Sequence, residues 1–169
     1  MGEPFVSLLF LPSISLNHFI LCRANYFGLV GLVTQNEKPK KLKIMIIEDE
    51  EDILILYRDF LRVIGHEIVC GSHADNIMSD FEKNLPDVCL MDYKIPGHKS
   101  GRDAATEILT KYPLTPIIFI TGYDQLREEI ANIAFFRDKT IRVLIKPVRL
   151  SEIEKVILDL VADSSKLKV

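Results

Sequence analysis

Four short apolar runs in this chain each close on a residue able to handle charge. Ile44-Met45-Ile46-Ile47 leads into Glu48-Asp49-Glu50-Glu51, and Val88-Cys89-Leu90-Met91 into Asp92. Ile117-Ile118-Phe119-Ile120 leads into Thr121-Gly122, and Val143-Leu144-Ile145 into Lys146-Pro147. Runs of this length, rich in β-branched residues and separated by helical segments, read as buried parallel strands. In an open parallel sheet the carboxyl ends of the strands share one edge, and ligands bind there. Glu48, Asp49, Asp92, Thr121 and Lys146 are therefore expected to converge, although nearly a hundred residues separate the first from the last.

The segments between the runs fit helices. Leu42–Ile47 reads as the first strand. Over Asp52–Ile64, the residues Ile53, Leu56, Tyr57, Phe60, Leu61 and Ile64 recur at helical spacing, with Gly65 as the stop. Glu67–Cys70 reads as a short second strand and Ala74–Lys83 as a helix, which Pro86 prevents from running into strand Asp87–Met91. Pro96-Gly97 marks a turn, after which Lys99-Ser100-Gly101 leads into a helix to Tyr112. Asp124 is the expected N-cap of a helix over Gln125–Phe135. Ile141–Ile145 is the fifth strand. Ser151 with Glu154 forms an expected capping box for a last helix ending near Val161. The pattern is a doubly wound α/β domain of five strands alternating with five helices.

Composition changes sharply near Glu37-Lys38-Pro39-Lys40-Lys41. Residues 1–36 hold only two charged side chains, Glu3 and Arg23, of the 45 in the chain. A membrane anchor would need about 20 apolar residues in a row. Val6–Leu11 and Phe27–Val33 are each too short, and joining them would bury Pro12, Asn17, His18, Arg23 and Asn25. A secretory signal would need a positive amino end, where Glu3 stands instead. The expectation is a poorly ordered or docking apolar extension over 1–41, a domain over 42–162 and a short tail over 163–169. The formal net charge of −3 leaves no basic footprint for nucleic acid. Three cysteines, Cys22, Cys70 and Cys89, match no metal spacing and read as free buried thiols of a reducing compartment.

Taken singly, these polar residues have ordinary structural roles. Acids at a helix start offset its dipole, and Thr-Gly or Lys-Pro is common loop chemistry. Their joint order is more specific. Asp49 to Asp92 is 43 residues, Asp92 to Thr121 is 29, and Thr121 to Lys146 is 25. From residue 43 to about 162 this order and spacing resembles the receiver domain of two-component response regulators, in particular the stand-alone chemotaxis type. The resemblance implies a flavodoxin-like (βα)5 fold with a five-stranded parallel sheet in the order 2-1-3-4-5. It implies Asp92 as the phosphoacceptor, and magnesium bound directly by Asp49, Asp92 and the backbone carbonyl of Lys94, with Glu48 acting through water. It assigns a hydroxyl contact to Thr121 and a cationic contact to Lys146, whose bond to Pro147 is cis in the family. The metal is the only cofactor implied. Partners would be a sensor histidine kinase or phosphotransfer protein and a downstream protein, in the cytoplasm, with neither nucleic acid nor membrane.

The chain departs from the family in two places. Val143 stands where an aromatic switch residue is common, and Arg137-Asp138-Lys139-Thr140 replaces the usual small residues. The spacing from Thr121 to Lys146 is a few residues long, which suggests an insertion around Phe136–Thr140. Lys94 and Tyr123, two residues after Asp92 and Thr121, are expected to shield a phosphoryl group rather than to orient water. No effector segment is expected after the last helix, so output would pass through protein contact or phosphorelay. The rivals are a phosphorylation-independent binding module of the same fold and a magnesium-dependent phosphohydrolase. The phosphohydrolase would want an acid where Lys94 stands, so the chain reads as a signalling module and not an enzyme.

Overall fold

The computed structural model describes residues 40–71, 76–95 and 98–166. The expectations for residues 1–36, including Cys22, for the Pro96-Gly97 turn and for a helix start at Ala74 lie outside the described residues. The strands are β1 (Lys43–Ile47), β2 (Glu67–Cys70), β3 (Val88–Met91), β4 (Ile117–Thr121) and β5 (Ile141–Ile145). The helices are α1 (Glu51–Val63), α2 (Ile77–Asn84), α3 (Gly101–Lys111), α4 (Leu126–Asn132) and α5 (Leu150–Lys166). All neighbouring strands pair in parallel, in the order β2-β1-β3-β4-β5. This is the flavodoxin-like order expected.

Strand alternation sorts the core into two layers. Met45 and Ile47 of β1 join Cys89, Met91 and Phe119 beneath α2, α3 and α4, which contribute Phe81, Ile108 and Leu126. Ile44 and Ile46 face the other way, with Val88, Leu90, Ile118 and Ile120, against Tyr57 and Leu61 of α1 and Ile153, Ile157 and Leu160 of α5. Covered on both faces, β3 and β4 are buried throughout, hence their unbroken apolar sequences. The edge strands β2 and β5 carry exposed residues. Each fully buried aliphatic side chain contributes about 1.5–3 kcal/mol.

Several local expectations need correction. Leu56 is 52% exposed, because the buried stripe of α1 centres on Tyr57 and Leu61 and draws in Leu54 instead. Cys70 is exposed where edge strand β2 ends, whereas Cys89 in central β3 is buried. Gln125, not Asp124, stands at the N-cap position of α4, without a side-chain cap bond; α4 ends at Asn132 and is followed by a 3-10 turn over Ala134–Phe136. α5 begins at Leu150, with the Arg149 carbonyl accepting from the amides of Glu152 and Ile153, so Ser151 lies inside the first turn. α5 runs on to Lys166, past Val161. Gly65 does end α1, at φ +107°, a region that other residues enter only under strain. Among the described residues, no helix is long and apolar enough to cross a membrane.

The turn after Gly65 carries a buried titratable group. The His66 Nδ1 accepts a hydrogen bond from the Leu42 amide at 3.3 Å, and the residue is 7% exposed. Burial holds its pKa below the ordinary value of 6.5, against a smaller opposing pull from Glu154. The unfolded chain therefore binds more protons than the fold between the depressed value and 6.5. Stability should be fully present above pH 6.5 and decline as the pH falls toward the folded pKa. Each unit of depression corresponds to about 1.4 kcal/mol. Urea midpoints between pH 7.5 and 5 should fall in the parent, and by clearly less in His66→Asn, whose Oδ1 can still accept from Leu42; equal slopes would remove His66 from this role.

Candidate functional site

The topology delivers four strand ends to one edge. β1 is followed directly by Glu48 and Asp49, after which α1 opens with Glu51 and Asp52 in its first turn, where carboxylates favour the helix dipole. Asp92 directly follows β3, Thr121 is the last residue of β4, and Lys146 directly follows β5. Backbone bonds lock these ends together: the Asp92 amide donates to the Ile47 carbonyl at 2.9 Å, and the Lys146 amide to the Thr121 carbonyl at 2.8 Å. The Lys146-Pro147 bond is cis.

Lys146 joins three of the strand ends. Its Nζ lies 2.9 Å from Glu48 Oε2, 2.9 Å from Asp92 Oδ2 and 3.6 Å from Glu50 Oε1. The Glu48 side chain is only 2% exposed and that of Asp92 11%. Asp92 Oδ1 also accepts from the Lys94 amide at 3.0 Å, and Glu48 Oε1 from the Glu50 amide at 3.4 Å. Thr121 is buried, with its Oγ1 accepting from the Tyr123 amide at 3.3 Å. Asp49 is exposed beside them. An open cavity of about 630 Å³, lined by Asp49, Tyr93, Lys94, Ile95, Ser100 and Arg102, adjoins the acids.

One carboxylate oxygen from each of Glu48, Asp49 and Asp92 falls within 4.8 Å of the others. At an effective dielectric near 20, two unit charges at that distance repel by roughly 3–4 kcal/mol. Burial pushes the Glu48 carboxyl above its usual range, and the Asp92 charge adds to this against the bond and charge of Lys146. Burial pulls Lys146 down, but its bonds to Asp92 and Glu48 outweigh that and hold the ammonium above the ordinary lysine range. Three converging carboxylates, with Glu50 also 3.6 Å from the ammonium, outnumber the one cation among them. Hard oxygen donors clustered in this way fit a divalent cation such as magnesium.

Glu48, Asp49, Asp92 and Lys146 thus meet as a group, and Thr121 is tied to Lys146 through the backbone. Two contributors were not singled out in the sequence. Glu50 reaches Lys146, although its position reads as helix-start acidity. Gly101 opens α3 against the end of β3: a Cβ there would sit 2.0 Å from the Asp92 carbonyl oxygen. A glycine after a Ser N-cap is the only sequence signal for that close approach. Val143 is half-buried and packs against the layer that holds Phe119.

The family model described as the response regulator receiver domain matches residues 44–158. The regulatory protein LuxO of Vibrio vulnificus is 27% identical over 124 residues, covering 73% of this chain and 26% of LuxO. The transcriptional regulatory protein PdtaR of Mycobacterium tuberculosis is 33% identical over 99 residues, covering 57% of this chain and 47% of that protein. The chain therefore spans less than half the length of these relatives. A receiver domain protein from Clostridium thermocellum superposes with a TM-score of 0.64 at 28% identity, covering 74% of this chain and 98% of its own. A CheY-like receiver protein from Methanospirillum hungatei shares the fold, with a TM-score of 0.66 at 21% identity over 75% of this chain and 98% of that one.

Gly101 supports a prediction about how the strand end is held. In Gly101→Ala, the added methyl meets backbone that cannot rotate away, so β3 and α3 must separate. The expected cost is about 1–3 kcal/mol, read as a lower urea midpoint. A midpoint equal to that of the parent would show that the contact is loose.

Proposed function

The chain belongs to the response regulator receiver family, and on that premise we propose that Asp92 accepts a phosphoryl group from a histidine kinase or a phosphotransfer protein, with magnesium as the cofactor. Receiver domains carry phosphoacceptor signalling in two-component systems and are generally signalling modules rather than enzymes. The observation that supports this reading most is the placement of Lys146, 2.9 Å from both Asp92 and Glu48, beside three converging carboxylates.

Each residue has a part in the proposed transfer. The Asp92 carboxylate attacks the phosphorus of a phosphohistidine. The P–N bond breaks, its electron pair returns to the imidazole, and an acyl phosphate forms on Asp92. Such transfer depends mainly on positioning and on neutralising the equatorial oxygens. Asp49, Asp92 and the Lys94 carbonyl would hold magnesium, with Glu48 acting through water. When bound, the ion neutralises phosphoryl oxygens and brings donor and acceptor together. Lys146, already held between Glu48 and Asp92, turns its ammonium to a phosphoryl oxygen. Thr121 Oγ1 accepts from the Tyr123 amide, which leaves its hydroxyl hydrogen for another. Output is proposed to follow through contact with a downstream protein or through phosphorelay, from a cytoplasmic location.

Two measurements test this. Incubation with acetyl phosphate and magnesium should add one phosphoryl mass to the parent and none to Asp92→Asn, which keeps the shape but not the nucleophile. Labelling of the folded variant, or steady release of free phosphate over many turnovers, would defeat the assignment. Magnesium should also raise the melting temperature of the parent, by the equivalent of about 2.7 kcal/mol at a hundred times Kd. Asp49→Ala should lose most of that response; an undiminished response would remove Asp49 as a ligand.

A further inference from the structure

Arg102 stands at a position that helix stability disfavours for a cation. It is the second residue of α3 and is exposed, at the positive end of the helix dipole. The adjacent Asp103 already serves the cap, accepting from the Ser100 amide at 3.0 Å and from the Ser100 hydroxyl at 2.7 Å. Arg102 lies instead beside the phosphoacceptor edge. The Gly101 amide donates to the Tyr93 carbonyl at 3.1 Å, and a Cβ on Gly101 would lie 2.0 Å from the Asp92 carbonyl oxygen. α3 therefore starts against the backbone that carries the nucleophile, and Arg102 is the next residue along.

The Arg102 side chain lines the open cavity of about 630 Å³ that also takes in Asp49, Tyr93 and Lys94. Tyr93 holds it there. Burial and then the Glu129 charge push the Tyr93 phenol up, while the charge and hydrogen bond of Arg102 pull against them. The Tyr93 hydroxyl donates to Glu129 Oε2 at 3.2 Å, and its ring is set against Phe119, 5.7 Å between centroids. A bond to Tyr93 uses one of the five N–H donors of the guanidinium. The rest form a planar fork suited to both oxygens of a carboxylate. The Lys94 ammonium is placed differently, 4.5 Å from the centre of the Tyr123 ring. Asp49, the acid of the cavity, is the proposed magnesium ligand, so the ion takes up its charge during transfer.

We propose that Arg102 is a specificity-determining residue: it receives the carboxylate released when an acyl phosphate donates to Asp92, and so favours such donors over those that leave as an amine. This rests on the phosphoacceptor reading. In that transfer an Asp92 oxygen bonds to phosphorus and the bond from phosphorus to the bridging oxygen of the acyl phosphate breaks. Its electron pair stays on that oxygen, which departs as part of a carboxylate. Attack and departure lie roughly in line, so the leaving group departs on the side away from Asp92, and the cavity is the open space beside the acids that can take it. Charge builds on the departing oxygen in the transition state, where the guanidinium stabilises it. Phosphoramidate leaves as neutral ammonia and offers Arg102 no carboxylate. The phosphohistidine route, whose leaving atom is an imidazole nitrogen, does not call on Arg102 either.

The test uses the full chain with magnesium and compares initial uptake, by intact mass, from acetyl phosphate and from phosphoramidate. Arg102→Gln should take up phosphoryl groups about fivefold more slowly from acetyl phosphate, the top of the range for one exposed ion pair, and at the parent rate from phosphoramidate. Arg102→Lys keeps the charge without the fork, so with acetyl phosphate it should fall between Arg102→Gln and the parent. Loss of the phosphoryl group from donor-free protein should be the same in all three, because the carboxylate has gone by then. Equal slowing with both donors, no slowing with acetyl phosphate, or a changed rate of loss would each overturn the proposal. So would Arg102→Lys matching the parent, which would reduce the effect to general attraction of anions. A parent that gains no phosphoryl mass from either donor would overturn the phosphoacceptor reading itself. If Arg102→Gln fails to fold, Arg102→Lys gives the same comparison.

Discussion

One ammonium organises the carboxyl edge of this sheet. Lys146 arrives from β5 and bridges the end of β1, at Glu48, to the end of β3, at Asp92, each at 2.9 Å. Side chains as enclosed as these cannot be left unpaired cheaply; removing one partner of a buried pair costs about 3–5 kcal/mol. The bridge therefore holds two acids in place that would otherwise repel each other. It neutralises only part of their charge, and the remainder, with Asp49, makes the edge receptive to a divalent ion. Lys146 serves both ends because its amide is bonded to Thr121, which fixes where its long side chain starts.

That bridge depends on register, and register depends on the core. β1 and β3 pair with Ile47 opposite Met91, so the residues after them, Glu48 and Asp92, emerge side by side. β4 and β5 pair with Thr121 opposite Ile145, so Lys146 emerges next to the threonine. A slip of one residue would turn every side chain of a strand to the other layer. Such a slip would exchange Met45 and Ile47 for Ile44 and Ile46 in packing that neither layer could absorb. The apolar pattern thus positions the charges, although no apolar residue touches them.

How much of this was legible in the sequence follows from the physics of each part. The central strands were readable because a parallel strand inside the sheet buries both faces, which makes Val88–Met91 and Ile117–Thr121 conspicuous. Glu48, Asp49, Asp92, Thr121 and Lys146 were readable because strand ends share an edge. Helix ends were less so. Asp124 and Ser151 have the chemistry of caps, yet Gln125 stands at the N-cap position of α4 without a side-chain cap bond and α5 starts before Ser151; helix ends fray and shift by a residue or two. Leu56 shows the limit of periodicity, which marks a face without saying where its edge falls. Glu129 was not readable at all: its bond to Tyr93 joins residues 36 apart in sequence, and nothing local announces it.

The departures from the family pattern fit together when the aromatic residues are followed through the fold. β5 offers Val143, opposite Phe119 in the sheet register, and a β-branched side chain has little rotational freedom. The aromatic rings lie on the loops after β3 and β4 instead, as Tyr93 and Tyr123. There the rings stack, 6.3 Å between centroids, and both hydroxyls donate to Glu129, so Tyr123 is restrained from α4 rather than from β5. α4 is short, ending at Asn132 before the 3-10 turn, and Glu129 bonds the tyrosines from its middle. A helix this short has little stability of its own. The tyrosine bonds to Glu129 therefore tie α4 to the sheet edge as much as α4 ties the tyrosines.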